Sequence, residues 1–174
     1  MKRYLLVAAV AGALGVGLGF ALGIFFYPFW FLGDVAAETV ANRERMTEVA
    51  AGTFLHAKPR DPIHWGRGGV ALLEGPAGER LVHLLPDFEV GPGPRFHVYL
   101  VERAGIRTDA DFPVDGAVDL GRLRAFRGSQ VYPIPASVDL AKVAAVVVWC
   151  KEFSVLISPA DLVRAASNRP PETP

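Results

Sequence analysis

The sequence is poor in the residues that usually announce chemistry. Cys150 is the only cysteine in 174 residues, so no intramolecular disulfide can form. The four histidines, His56, His64, His83 and His97, stand singly. No two are spaced i, i+2 or i, i+4, so a compact metal-binding motif is lacking. Charge of one sign is also lacking. Eighteen Lys+Arg balance eighteen Asp+Glu, which leaves no basic field to attract nucleic acid. There is no nucleophile elbow, Walker loop or dinucleotide fingerprint. Gly66-Arg67-Gly68-Gly69 is glycine-rich, but no helix-opening segment follows it. It reads as a turn into a strand and not as a phosphate cradle. Asp87-Phe88-Glu89 and Asp109-Ala110-Asp111 bring carboxylates together as a hydrolase might need. Loop carboxylates of this kind are more often turn formers and caps. No internal repeat is visible.

What the sequence has in quantity is apolar residues, 51% against 21% charged. That balance suits a folded domain carrying an extra apolar segment, not a disordered chain. The segment is at the N-terminus, where Tyr4 to Leu32 contains no charge. A bilayer needs about 20 apolar helical residues, so the run over 4–32 predicts a transmembrane helix acting as a signal anchor. Phe25, Phe26, Tyr27, Phe29, Trp30 and Phe31 cluster where headgroups should begin, with Pro28 among them to kink or end the helix. Lys2 and Arg3 precede the run; Asp34 and Glu38 follow it. By the positive-inside rule the N-terminus is cytoplasmic and the rest of the chain is outside. The rival is a signal peptide cleaved near Val35-Ala36-Ala37, for which the apolar run is long. Without a nearby cysteine a lipid-anchored lipoprotein is excluded. Gly15, Gly19 and Gly23 recur every four residues, a pattern that lets two membrane helices pack closely. Glycine is also common in membrane helices generally.

Residues 33–51 predict a helical stalk capped by Asp34 and ended at Gly52. From Gly52 the pattern changes to short apolar or alternating runs between Gly/Pro turns. Strands are expected at Thr53–His56, Gly69–Glu74, Arg80–Leu85, Phe96–Glu102, Gln130–Ile134, Val143–Lys151 and Ser154–Ile157. Gly75-Pro76-Ala77-Gly78 and Gly91-Pro92-Gly93-Pro94 mark turns between them. Helical turns are expected at Leu120–Phe126 and at Ala160–Ala166 after Pro159. The fold class is therefore mainly β, an antiparallel sandwich or barrel-like domain over 52–166, preceded by one transmembrane helix. Residues 167–174, with three prolines, read as a disordered tail.

Cys150 lies in Val146-Val147-Val148-Trp149-Cys150-Lys151-Glu152-Phe153. On a strand it shares a face with Val146 and Val148, while Trp149 points the other way. Free cysteine is among the most buried residue types, so core packing is one reading. A redox thiol, or a thiolate ligand to metal or haem, is the other. His97 shares its face with Tyr99 and Val101, and His83 shares one with Leu81 and Leu85.

Several of these pieces together resemble the DM-13 domain, also called the electron-transfer DM domain. Gly52-Thr53-Phe54 with the later His64 is similar to its opening. Leu84-Leu85-Pro86-Asp87-Phe88, Gly93-Pro94 before His97-Val98-Tyr99-Leu100, and Leu120-Gly121 with Leu123 follow in the family's order. So do Gly128-Ser129-Gln130-Val131-Tyr132-Pro133-Ile134-Pro135, Val147-Val148-Trp149-Cys150-Lys151-Glu152-Phe153, and Ala160 with Leu162. Arg95 stands where the family often has a small or acidic residue. The resemblance covers about Gly52 to Leu162. It implies an extracytoplasmic β domain and a redox role for the characteristic cysteine, here Cys150. If a haem is bound, His97 or His64 is the implied second ligand. The implied partner is a separate membrane or extracytoplasmic redox protein. The alternative function is a non-catalytic surface binding or adhesion module, with Cys150 as core packing.

Overall fold

A computed structural model describes residues 2–31 and 35–165, with the side chains of 27–31 left aside. The aromatic cluster beyond Phe26, the cap at Asp34 and the tail 167–174 lie outside what is described. The chain divides into two units, Met1–Gly33 and Asp34–Pro174.

The first unit is one helix, α1, over Lys2–Phe31. It is long and apolar enough over Lys2–Phe26 to cross a membrane. Its side chains from Lys2 to Phe26 are exposed, the condition in which such a helix needs lipid or a partner to cover it. Space beside Gly15, Gly19 and Gly23 is open.

The second unit is built from eleven strands among the described residues: β1 (Val35–Ala37), β2 (Thr47–Thr53), β3 (Gly66–Arg67), β4 (Gly69–Glu74), β5 (Arg80–Leu84), β6 (Glu89–Val90), β7 (Phe96–Val101), β8 (Val118–Arg122), β9 (Arg127–Pro133), β10 (Ala145–Cys150) and β11 (Val155–Arg164). Their order is β3-β6-β9-β5-β4-β2-β11-β10-β7-β8, with β1 beside β9. The pairings are antiparallel except the parallel β1–β9 pair. This is the mainly β, antiparallel architecture expected.

Strand β11 joins two parts of the sheet. Its first seven residues pair with β10, and Leu162–Arg164 pair with β2. The inward side chains form one core, among them Phe54, Phe88, Phe96, Val98, Leu123, Tyr132, Val146, Val148 and Cys150. The opposite face of β10 is buried as well. There Ala145, Val147 and Trp149 pack with Tyr99, Val101, Ile106, Phe112 and Leu156 under the 102–117 connection. A strand covered on both faces needs apolar residues throughout, and all six residues of β10 are buried.

Three expected elements are different. The stalk expected to be helical over 33–51 is largely extended where described. It supplies β1, a single 3-10 turn at Arg43–Arg45, and most of β2. Its mixed charges offer no apolar helical stripe, whereas the edges of β9 and β4 offer backbone partners. Leu120–Phe126 gives β8 and an extended crossing instead of a helical turn. Ala160–Ala166 does not open a helix either, because β11 runs through Pro159 to Arg164. The Pro159 carbonyl accepts the Leu55 N–H at 2.9 Å. In an extended residue N–H and C=O point the same way, so the missing proline N–H lies on that side. The β10 ladder therefore loses no bond.

Strand directions place several termini at one end of the domain: the starts of β1, β4, β7, β9 and β11, and the ends of β2, β5, β8 and β10. We call this the Cys150 end. The 102–117 connection leaves β7 at the opposite end and folds back over the outer face of β10, where Phe112 reaches Trp149 and Asp109 reaches Leu156.

Candidate functional site

Cys150 closes β10, opposite Phe96 on β7 and Val155 on β11. It is 1% exposed. Its Sγ donates to the Pro94 carbonyl at 3.3 Å. Arg95 follows in a left-handed conformation, φ 47°, and its carbonyl accepts the Lys151 N–H at 3.2 Å. The thiol thus sits under a closed turn, its S–H directed at a carbonyl. Cys150 faces Val146 and Val148, as alternation predicts, and Trp149 faces away.

Trp149 belongs to an aromatic group on the outer face. Its ring stacks on Phe112 at 4.2 Å and 14°, and Phe112 meets Tyr99 edge-on at 5.2 Å. The Tyr99 hydroxyl donates to Asp119 Oδ2 at 3.2 Å. Asp119 also accepts His97 Nδ1–H at 2.9 and 3.0 Å, Lys151 Nζ at 3.1 Å and the Gly121 N–H at 2.9 Å. Burial alone would raise the Asp119 pKa; the hydrogen bonds from His97, Gly121 and Lys151 outweigh it and hold the carboxylate below its usual range. The Tyr99 phenol is pushed up to about 12, first by burial and then by the Asp119 charge.

His97 and Cys150 are on opposite faces of the sheet. His97 pairs with Trp149, and Phe96 pairs with Cys150. His64 lies in the loop before β3. Its Nδ1 bonds Asp61 Oδ2 at 2.6 Å, while Asp61 Oδ1 accepts the N–H groups of Ile63 and His64. Burial works to raise the Asp61 pKa, but these bonds carry it well below the usual carboxylate range. The same loop is tied down by Lys58 to Asp109 at 2.6 Å, and Asp109 accepts the Leu156 N–H at 2.7 Å. Cys150, His97 and His64 therefore do not converge. An axial pair of Cys150 with His97 would have to pass through a β-sheet, and each histidine is committed to its own carboxylate. The residues present do not fit a haem held by these ligands. Among the described residues no group of three or more His, Cys, Asp or Glu is placed to hold a metal ion. Three cavities, of about 440, 510 and 650 Å³, are lined by other parts of the domain and touch neither Cys150 nor His97.

The Asp119 hub and Phe112 have no signature in the sequence. Asp119 is 22 residues from His97, just before a stretch that reads as a helical turn. The only hint is that His97 and Tyr99 alternate onto one face. His83 has a different role. Its Nε2–H donates to Ser129 Oγ at 2.9 Å, because that hydroxyl itself donates to the Glu38 carbonyl at 2.6 Å. His83 Nδ1 is buried without a partner.

Comparison with curated proteins and with solved structures finds no match. A family model does match: the one described as "Electron transfer DM13" covers residues 60–162. That span holds nine of the eleven strands in whole or part, together with Trp149 and Cys150 at the end of β10. With more than half its length matched, the chain belongs to the DM13 electron-transfer family.

Proposed function

We propose that the protein is a membrane-anchored electron-transfer module, with its β domain outside the cytoplasm and Cys150 as its redox group. The observation that carries this reading is the family match, which includes Cys150. The charge asymmetry around α1, Lys2 and Arg3 at its start and Glu38 after it, supports the orientation. Burial of the thiol argues against a mixed disulfide, which needs a reachable sulfur; the proposed partner is a separate membrane or extracytoplasmic redox protein. Helix pairing through Gly15, Gly19 and Gly23 is part of the same proposal.

One observation favours a second reading. A thiol that is 1% exposed and donates to a carbonyl is also what a packing residue looks like. In that case the domain is a binding or adhesion module. The two are separated on the full-length protein in detergent. Under the redox reading, equilibrium redox titration gives a reversible signal that disappears in Cys150→Ala while the fold is retained. A signal that is absent, or that survives in Cys150→Ala, overturns the role of Cys150. An unfolding midpoint lowered in that variant, with no redox change, identifies packing.

A further inference from the structure

We propose that Tyr99 is a second redox group of the domain, a phenol that loses an electron and a proton together, with Asp119 accepting the proton; this rests on reading the domain as an electron-transfer module. Three buried groups of the domain differ in what would receive a proton if they were oxidised. The Cys150 S–H is directed at the Pro94 carbonyl at 3.3 Å, and an amide oxygen is too weak a base to take a proton. The Tyr132 hydroxyl donates to Gln130 Oε1 at 2.9 Å and to the Arg122 carbonyl at 3.3 Å, amide oxygens again. Of the three, only the Tyr99 hydroxyl meets a carboxylate, Asp119 Oδ2 at 3.2 Å.

Asp119 suits the role because it is ionised and reaches water. His97 Nδ1–H, Lys151 Nζ and the Gly121 N–H also donate to it. Its side chain is 32% exposed, whereas Tyr99 is 8% exposed. Burial, and then the Asp119 charge, keep the phenol protonated at neutral pH. Electron loss alone would leave a buried cation, which is costly. An oxidised phenol is a far stronger acid than a carboxylic acid, so even a carboxylate held below its usual range takes the proton. In the step the Tyr99 O–H bond breaks and the proton joins Asp119 Oδ2. One electron passes to a one-electron oxidant of high potential, the metal centre of a separate redox protein. The products are a neutral phenoxyl radical and a protonated Asp119, and return of the electron reverses both changes. The route for the electron is aromatic. Phe112 meets Tyr99 edge-on at 5.2 Å and stacks on Trp149 at 4.2 Å. Trp149 is one peptide link from Cys150, so the stack joins the two redox groups.

The test is photo-oxidation of the full-length protein in detergent, in a Tyr4→Phe, Tyr27→Phe background that leaves Tyr99 and Tyr132 as its tyrosines. Flash-generated tris(bipyridine)ruthenium(III) is the oxidant, and radicals are read by electron paramagnetic resonance after freeze-quenching. A tyrosyl signal is expected that is lost in Tyr99→Phe and kept in Tyr132→Phe. Its rate of formation should fall about a hundredfold in Asp119→Asn, the scale for losing a positioned proton acceptor. 3-Fluorotyrosine placed at position 99 keeps the hydroxyl and should add fluorine splitting, which assigns the signal even where Tyr99→Phe disturbs the fold. No tyrosyl signal, a signal that survives Tyr99→Phe, or one without fluorine splitting overturns the role of Tyr99. An unchanged rate in Asp119→Asn overturns the proton acceptor. Cys150→Ala should leave the signal in place; its loss there would assign the oxidation to Cys150 and overturn the proposal. The equilibrium redox titration reads the other group, so its failure beside an intact tyrosyl signal removes Cys150 and leaves Tyr99 standing.

Discussion

Replacing Gly128 with alanine should unfasten β1 from the domain. Gly128 holds φ +90°, and a Cβ there would lie 2.1 Å from the Ala36 carbonyl oxygen and 2.7 Å from Val35 Cγ1. The obstacle is backbone, and the Gly128 N–H is itself fixed to the Phe88 carbonyl at 2.8 Å. Placing an L-residue in the left-handed region costs about 1–2 kcal/mol. Moving β1 aside removes its ladder to Arg127–Ser129, the Glu38 N–H bond to the Ser129 carbonyl at 3.0 Å and the Val131 N–H bond to Glu38 Oε2 at 2.9 Å. Each such bond is worth about 1 kcal/mol net, less where water replaces it. A total near 2–4 kcal/mol follows if both effects act. With a urea dependence of about 2 kcal/mol per molar, midway in the usual range, the unfolding midpoint of the full-length protein should fall by about 1–2 M. Gly78→Ala is the control, because Gly78 has φ +83° with nothing within 4 Å of its Cβ. It carries the conformational cost alone. Hydrogen exchange read at residues 36–38 should quicken in Gly128→Ala and stay unchanged in Gly78→Ala. Equal midpoints for the two variants, with protection at Glu38 intact, would refute the account of β1.

Two further outcomes follow. Phe112→Ala strips the stacked cover from Trp149 and should cost about 3 kcal/mol, a large-to-small change at a largely buried site. Unfolding curves and a red shift of tryptophan emission check it. His83 has its pKa lowered, first by burial and then by the Arg43 charge. A histidine that resists protonation when folded takes up protons on unfolding, so stability should decline as pH falls below about 6.5, the unfolded value, toward the lower folded one. His83→Gln should flatten that slope in unfolding measured between neutral pH and pH 5. The lowered carboxylates Asp61, Asp109, Asp119 and Asp161 act in the opposite sense of group but the same direction of pH. Their contribution is present above the ordinary carboxylate pKa and is lost only in stronger acid.

The core strands were legible because their patterns are local. Gly69–Glu74 matches β4 at both ends, and the unbroken apolar run of 145–149 marks a strand covered on both sides. Alternation alone placed Cys150 and Trp149 on opposite faces. What was illegible depends on partners far along the chain. β1 is extended because it meets β9 some ninety residues later, and three residues carry no period. Pro159 reads as the approach to a helical turn, yet it lies within β11 and its missing N–H points where no ladder bond is due. The site was half legible. Cys150 is found by its uniqueness, and the carboxylates that bind His64 and His97 differ in visibility: Asp61 is three residues from its histidine, while Asp119 reaches His97 only through the β7–β8 pairing.

Strand β11 is the last of those described, and it is the seam between β10 and β2. Neither half of the sheet can close until that segment has arrived. For a chain delivered across a membrane from its N-terminus, closure must therefore wait until nearly all of the domain has been translocated. Until then β2 and β10 present raw edges, which recruit neighbouring chains as readily as their own last strand. Such a topology folds slowly, because its decisive contacts are distant in sequence. A chain cut short of Val155 should thus be an aggregation-prone fragment, and not a smaller version of the finished domain.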